Sequence, residues 1–236
     1  VDDTDGGLNQ ESINALESKI LEWCFEEMEN PPERIDFPKM SEHIKMDFLR
    51  RGYVEYKRAS MSVSRHDFLK NQKRALPEGF ALVPYQTSMR DEVADIIAEA
   101  NMNHVDAIIY PELFSSKEKA QEFLKKLEGN RFGEFIERSS QVLVKGEQTI
   151  GFCMIVKKDD RASIPDIGIL PVYQRQGLGK ALFVNTIHDI LHSDDSIQTI
   201  DLAVTLSNPA RFLYEKSGFQ VDDEFSAIIH CRESNK

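Results

Sequence analysis

Ile167-Gly168-Ile169-Leu170-Pro171-Val172-Tyr173-Gln174-Arg175-Gln176-Gly177-Leu178-Gly179-Lys180-Ala181-Leu182 is the stretch on which the reading of the whole chain turns. An apolar strand ends at Pro171, and a loop with glycines then enters a helix. The first turn of a helix leaves backbone N–H groups unpaired, and the macrodipole makes that end positive. Gly177 and Gly179 carry no side chain, so a phosphate can come close to the backbone. Arg175 and Lys180 add positive charge at the edge. The stretch reads as a pyrophosphate cradle. A tight strand-to-helix turn would use the same two glycines, but Gln174 and a second motif downstream favour the cradle.

Two common nucleotide sites fail on the residues. A dinucleotide fingerprint needs G-x-G-x-x-G, and the first glycine is missing. A P-loop needs a Ser or Thr after Gly-Lys, where Ala181 stands, and a glycine at position 174, which is Gln. What remains is Gln174-x-x-Gly177-x-Gly179 after a strand, followed at a distance by Asn208-Pro209-Ala210-Arg211-Phe212-Leu213-Tyr214-Glu215-Lys216-Ser217-Gly218-Phe219. The second segment reads as a compact helix with Asn208 as N-cap, Pro209 in the first turn and Gly218 as a left-handed stop. The distance between the two leaves room for one helix and one strand. Together they resemble the GNAT acyltransferase superfamily, with its coenzyme-A motif Q/R-x-x-G-x-G/A and its segment N-x-x-A-x-x-L-Y-x-x-x-G-F. Here Ala210 stands one place earlier than usual. The resemblance covers residues 79 to 231.

That resemblance implies an N-acetyltransferase that moves an acetyl group from acetyl-CoA, its co-substrate, to an amine by direct attack in a ternary complex. It places the coenzyme against Ile167, Gly168, Ile169, Gln174, Arg175, Gln176, Gly177, Leu178, Gly179, Lys180, Asn208 and Tyr214. The pantetheine arm would lie between two splayed strands near Ile167 and Ile169, where a backbone N–H polarises the thioester carbonyl. Tyr214 matches the tyrosine that protonates the departing thiolate, and Asn208 a residue that contacts the coenzyme or orders water. An alkyl amine, with a pKa of about 10, also needs a proton acceptor. The positions where relatives carry one fall near Ser163 and Pro165, and neither can serve. Asp166 is the nearest carboxylate and the catalytic candidate beside Tyr214; Glu112 is another. Asp166 also has a structural reading, as a hydrogen-bond acceptor, and Tyr214 one as a core aromatic. His104 stands in a loop that could border the acceptor pocket, although a packed or surface histidine is the simpler reading. The absence of a recognisable base keeps a rival class open, a non-catalytic acyl-CoA-binding or regulatory module.

Around these motifs the chain alternates strand and helix from Gly79 onward, with strands expected over 80–84, 141–144, 150–156, 162–170, 199–204 and 225–231. Helices are expected after the capping boxes Ser88/Asp91 and Ser115/Glu118, over 177–192 and over 209–216. The fold class is α/β (α+β) and GNAT-like: a mixed, mostly antiparallel sheet with helices on both faces, and a helix linking two parallel strands. Residues 1–75 form a helix–strand extension and 76–236 the acetyltransferase domain. In the extension a helix is expected over 12–29, with Trp23 and Phe25 toward its core side and a stop at Asn30-Pro31-Pro32-Glu33. A second follows over 41–51, then a strand over 53–63. Phe48 to Tyr53 can be laid on Tyr214 to Phe219, so the extension reads either as the remnant half of an upstream copy or as a chance likeness. It would pack on the core's sheet or against a second copy, as in a homodimer.

Composition bounds the rest. The 236 residues are 41% hydrophobic and 29% charged, the balance of an ordinary globular chain. A net charge of −11 argues against nucleic acid and suits a cationic small-molecule or peptide amine. No apolar run approaches the roughly 20 residues of a membrane span, and the acidic N-terminus is no secretory signal. Cys24, Cys153 and Cys231 have no metal-ligand or redox spacing, which suggests a reducing, cytoplasmic setting without a metal.

Overall fold

The computed structural model describes Ala15, Leu16, Lys19, Arg34–Phe37 and residues 42–102 and 104–230. The helix expected over 12–29 lies outside these residues, apart from Ala15, Leu16 and Lys19, which are helical. Its stop, Trp23, Cys24 and Cys231 also lie outside.

The chain divides into two compact units, one of residues up to Arg58 together with those from Glu224 on, the other Ala59–Asp223. In the smaller unit, β1 (Arg34–Phe37) pairs antiparallel with the end of β11 (Gln220–His230). Helix α1 (Glu42–Arg50) ends on Gly52, whose φ of 88° is open to glycine and strained for other residues. Its buried Ile44 and Phe48 pack with Tyr53 and Ile228. Tyr53 opens β2 (Tyr53–Ser64).

The described strands form two sheets where the sequence predicts one. The first has the order β3 (Phe80–Pro84), β5 (Gln141–Lys145), β6 (Gln148–Cys153), β9 (Ile167–Ile169), all antiparallel. The second runs β11, β2, β10 (Thr199–Thr205), β8 (Arg161–Ser163), β7 (Val156–Lys158), β4 (Glu134–Phe135). Here β10 lies parallel to β8, the one parallel pairing the helix between them was expected to connect. The run expected as one strand over 162–170 is broken between Ser163 and Ile167, around Pro165. Its first half joins one sheet and its second half the other. A proline cannot donate to a ladder, so the break falls where pairing must stop.

Residues of β5 and β6 are buried on both sides, as expected for a strand covered on two faces, with the alternation interrupted where the register shifts between Leu143 and Val144. Leu143, Ile150 and Cys153 join the cluster around α7 (Leu178–Ser193), with its buried Leu182, Phe183 and Ile187. Val142 and Phe152 belong to the opposite cluster, with Val93, Ile96 and Ile97 of α3 (Arg90–Asn101). Phe123, Leu124 and Leu127 of α6 (Lys117–Glu128) complete it. Helices therefore cover both faces. The remaining helices are short: α2 (Arg65–Phe68), α4 (Val105–Ile109), α5 (Pro111–Phe114) and α8 (Arg211–Lys216).

Neither expected capping box forms as read. A 3-10 turn over Thr87–Met89 precedes α3, so the cap falls on Met89 and no side chain fills it. For α6 the cap moves one residue, to Ser116, whose hydroxyl accepts from the Lys119 N–H at 3.3 Å. Ser115 instead donates back to the Pro111 carbonyl at 2.5 Å, closing α5. Among the described residues no helix is long and apolar enough to cross a membrane.

Candidate active site

The residues of the expected cradle stand at the start of α7. Gly177 is the cap residue in the left-handed region (φ 81°), Arg175 two places earlier is also left-handed (φ 62°), and no side chain caps the helix. Ala181 is the first amide to reach a carbonyl of this turn, that of Gly177 at 3.1 Å. The amides of Leu178, Gly179 and Lys180 therefore keep the free N–H groups of a helix start, next to a left-handed loop of the kind that concentrates N–H groups on anions. A Cβ built at Gly177 would meet nothing within 4 Å, so the space before the amides is open. These residues fit a pyrophosphate.

The side chains divide by role. Arg175 is exposed and Lys180 half-buried, while Leu178 is in the core and can offer only its backbone. Gln174 Nε2 donates to the Ile169 carbonyl at 3.0 Å and Gln176 Nε2 to the Val172 carbonyl at 3.1 Å, so both brace the loop. Gly177→Val is expected to lower acetyl-CoA affinity by about tenfold or more, because a β-branched residue resists this φ and its side chain would occupy the phosphate space. Calorimetric titration beside a thermal melt separates lost binding from lost folding.

Past the cradle, β9 is the edge of its sheet and β10 belongs to the other. The two strands that flank α7 thus part, as the resemblance requires. Met154 N–H donates to the Asp166 carbonyl at 3.0 Å and Leu170 N–H to the Ile150 carbonyl at 2.9 Å. Antiparallel alternation then turns the N–H and C=O groups of Ile167 and Ile169 away from β6, toward the open edge. Gly168 is needed for packing: a Cβ there would lie 2.7 Å from Phe152 Cε1.

Asp166 immediately precedes β9, and Tyr214 of α8 is close enough to feel its charge. The tyrosine is buried, its ring 5.1 Å from that of Phe183. Burial, then the nearby Cys153, Asp166 and Asp106, push its hydroxyl well above the usual range, so it keeps its proton at neutral pH. Asp166 as a whole is only half-buried, but its Oδ2 is buried without a hydrogen-bond partner. Oδ1 accepts from the Ile167 N–H at 2.9 Å. Burial pushes this carboxyl up to about 7, opposed by the Ile167 bond, aided by Asp106 and opposed more weakly by His104.

Two residues that the sequence did not single out, Asp106 and Thr205, join His104 and Asn208 in one cluster. Asp106, in the first turn of α4, accepts from Thr205 Oγ1 at 2.8 Å and from Asn208 Nδ2 at 3.1 Å. Its Oδ2 is also 3.2 Å from His104 Nδ1. Thr205 ends β10. Asn208 is not the helix cap it was expected to be: α8 starts at Arg211 with Ala210 as cap, and Asn208 Oδ1 accepts from the Ala210 N–H at 2.8 Å in a tight turn. His104 caps α4 and is not a plain surface residue. The one signal for the pair in the sequence is its His-x-Asp spacing at a helix start. Glu112 is exposed on α5. Ser163 donates to Asp201 and offers no base.

Comparison with known proteins agrees with this geometry. The acetyltransferase (GNAT) domain profile matches residues 114–227. A ribosomal protein bS18-alanine N-acetyltransferase of Haemophilus influenzae is 42% identical over 81 residues, 34% of this chain and 54% of the relative. A putative enzyme of the same name from Bacillus subtilis is 32% identical over 108 residues, 45% of this chain and 67% of the relative. The chain thus spans little more than half the length of the first of these relatives. The crystal structure of a GCN5-related N-acetyltransferase from Sphaerobacter thermophilus superposes with a TM-score of 0.66 at 14% identity, over 93% of this chain and 68% of that one. The chain belongs to the GNAT acetyltransferase family.

Proposed function

We propose that this chain is an acetyl-CoA-dependent N-acetyltransferase whose acceptor is the N-terminal α-amine of a peptide or protein. The observation that carries the reading is the open helix start at Gly177 beside the parted β9 and β10, with Tyr214 holding its proton and Asp166 a carboxyl near neutrality within electrostatic reach of each other. Bound acetyl-CoA supplies an acetyl thioester. The first amides of α7 hold its pyrophosphate, and the Ile167 carbonyl and Ile169 N–H, the edge groups not taken by Asp166 or Gln174, hold its pantetheine arm. Asp166 Oδ2 takes the proton of the acceptor ammonium, and the freed amine forms the new C–N bond as the C–S bond breaks. Tyr214 gives its proton to the departing sulfur and is reprotonated by the second proton that the nitrogen sheds as the amide forms.

Proton matching supports an α-amine. With Asp166 at about 7, an α-ammonium of pKa about 8 gives up its proton at a deficit of about one unit, whereas a lysine ammonium of about 10.4 faces more than three. The two relatives are named for acetylating an alanine of ribosomal protein bS18, one of them putatively; a ribosomal protein with a small first residue is the acceptor we favour, and the protein-synthesising compartment its place of action. The net charge of −11 also suits the basic chains of ribosomal proteins. We read residues 1–75 as a remnant half copy beside the 76–236 domain, in support of which Gly52 and Gly218 end comparable helices at φ 88° and 93°.

A panel of peptides with free N-termini, each also carrying one lysine, tests the acceptor class by mass spectrometry after incubation with acetyl-CoA. Modification is expected at the N-terminus, and faster for Ala or Ser first than for bulky residues. Modification of lysine alone would overturn the acceptor class. Binding of acetyl-CoA without transfer to any amine would favour the non-catalytic module.

A further inference from the structure

Asp166 needs more than burial to work as a proton acceptor, because a carboxyl in an apolar site resists ionisation and an anion beside it adds to the resistance. Asp106 is such an anion, and Asp106 does not stand alone. Thr205, at the end of β10, and Asn208, in the loop after it, each donate to one of its oxygens. His104 Nδ1 lies 3.2 Å from Oδ2. The same Nδ1 stands 3.4 Å from the Asp106 N–H, so the ring has two states. Neutral, it accepts from that amide and caps α4; protonated, it loses the lone pair and donates to the Asp106 carboxylate. The hydrogen bond to Asp106 raises the affinity of His104 for this proton above that of a free histidine, and Asp166 adds to it.

We propose that the His104–Asp106 pair, clamped to the end of β10 by Thr205 and Asn208, is a positioning device for the reaction: its imidazolium offsets the Asp106 charge and keeps the Asp166 carboxylate ionised as the acceptor amine arrives. The proposal rests on Asp166 as the proton acceptor. Its physical content is a balance of charges within one cluster. Asp106 of α4, the thiol of Cys153 of β6 and the hydroxyl of Tyr214 of α8 lie within electrostatic reach of the carboxyl, and among the described groups acting on it His104 is the cation. Burial keeps the Cys153 thiol protonated, so the sulfur contributes no charge. Thr205 and Asn208 hold Asp106 in one place; without them the imidazolium would follow a mobile partner. His104 does not touch the reacting atoms in this account, and its effect reaches the reaction through Asp166.

His104→Asn separates the two states of the ring, since asparagine can cap α4 but carries no charge. Carbon-detected NMR of selectively labelled aspartate in the resting protein follows the Asp166 titration directly, with Asp166→Asn assigning the signal. In His104→Asn the Asp166 midpoint is expected to move up by about 0.5–1 pH unit, the scale set by losing one nearby cation. The acid limb of kcat/KM should move up by the same amount, and His104→Lys should leave both near their wild-type positions. An Asp166 midpoint unchanged in His104→Asn overturns the proposal whether or not the protein transfers acetyl groups. A midpoint that moves while the acid limb stays would uphold the charge balance and refute Asp166 as the proton acceptor instead. A fall in activity with no change in either midpoint would reduce His104 to a helix cap and so also overturn the proposal.

Discussion

Asp166→Asn is expected to stabilise the folded protein at pH 8 while lowering kcat/KM by roughly 10²–10⁴-fold, the usual range for a lost general base. The two effects share one cause. In the folded chain the carboxyl is pushed up to about 7, against about 3.9 in the unfolded chain. Between those values the folded state binds a proton that the unfolded state has lost, so stability falls as pH rises through this window. The stability of the neutral acid is fully present below about pH 4 and gone above about pH 7. A gap of roughly three pH units sets a ceiling of about 4 kcal/mol on the loss. Asparagine removes the charge but leaves a buried amide donor in place of the unpartnered Oδ2, which gives back about 1–3 kcal/mol. A net gain of about 1–3 kcal/mol at pH 8 remains, shrinking toward pH 4. Denaturant melts of both proteins at pH 5 and pH 8 measure it. A variant equally stable relative to wild type at both pH values would show that the carboxyl does not titrate where burial places it.

Tyr214→Phe is expected to lower kcat by about 10²-fold or more while acetyl-CoA affinity stays within about threefold. The ring is fixed between Phe183 at 5.1 Å and Phe219 at 6.2 Å, and phenylalanine keeps those contacts. What is lost is the proton, which burial holds on the hydroxyl well into alkaline pH. Rapid mixing separates the chemical step from product release. A thioester donor with a better leaving group should restore much of the loss, since an acidic thiol leaves without a proton donor. Unchanged transfer by the variant would return Tyr214 to the role of a core aromatic.

Local signals in this sequence translated well where backbone conformation and side chain were tied together. Gly177 and Gly218 stand in the left-handed region their positions require, and β3 occupies the five residues read from its apolar run. Signals depending on a neighbour's choice translated less well. Ser115 and Ser116 are both competent caps, and the winner was set by α5, which uses Ser115 for its own last turn. The division into two sheets was illegible because alternation along 162–170 says which face each side chain takes, not which strand lies alongside. Asp106 and His104 are some sixty residues from Asp166 in sequence. They meet it through the fold of α4 against the end of β10, which no local pattern encodes. Asn208 was singled out for its cap and coenzyme roles, and its second partner, Asp106, was visible only in three dimensions.

Everything proposed for catalysis depends on the cradle at Gly177 taking acetyl-CoA, and calorimetric titration of the purified chain tests that most directly. The account predicts one site per chain with a dissociation constant in the micromolar range, about 1–100 μM, and competition by free coenzyme A. No heat of binding at about 1 mM acetyl-CoA, from protein shown to be folded, would contradict it and leave a family fold without the family's chemistry.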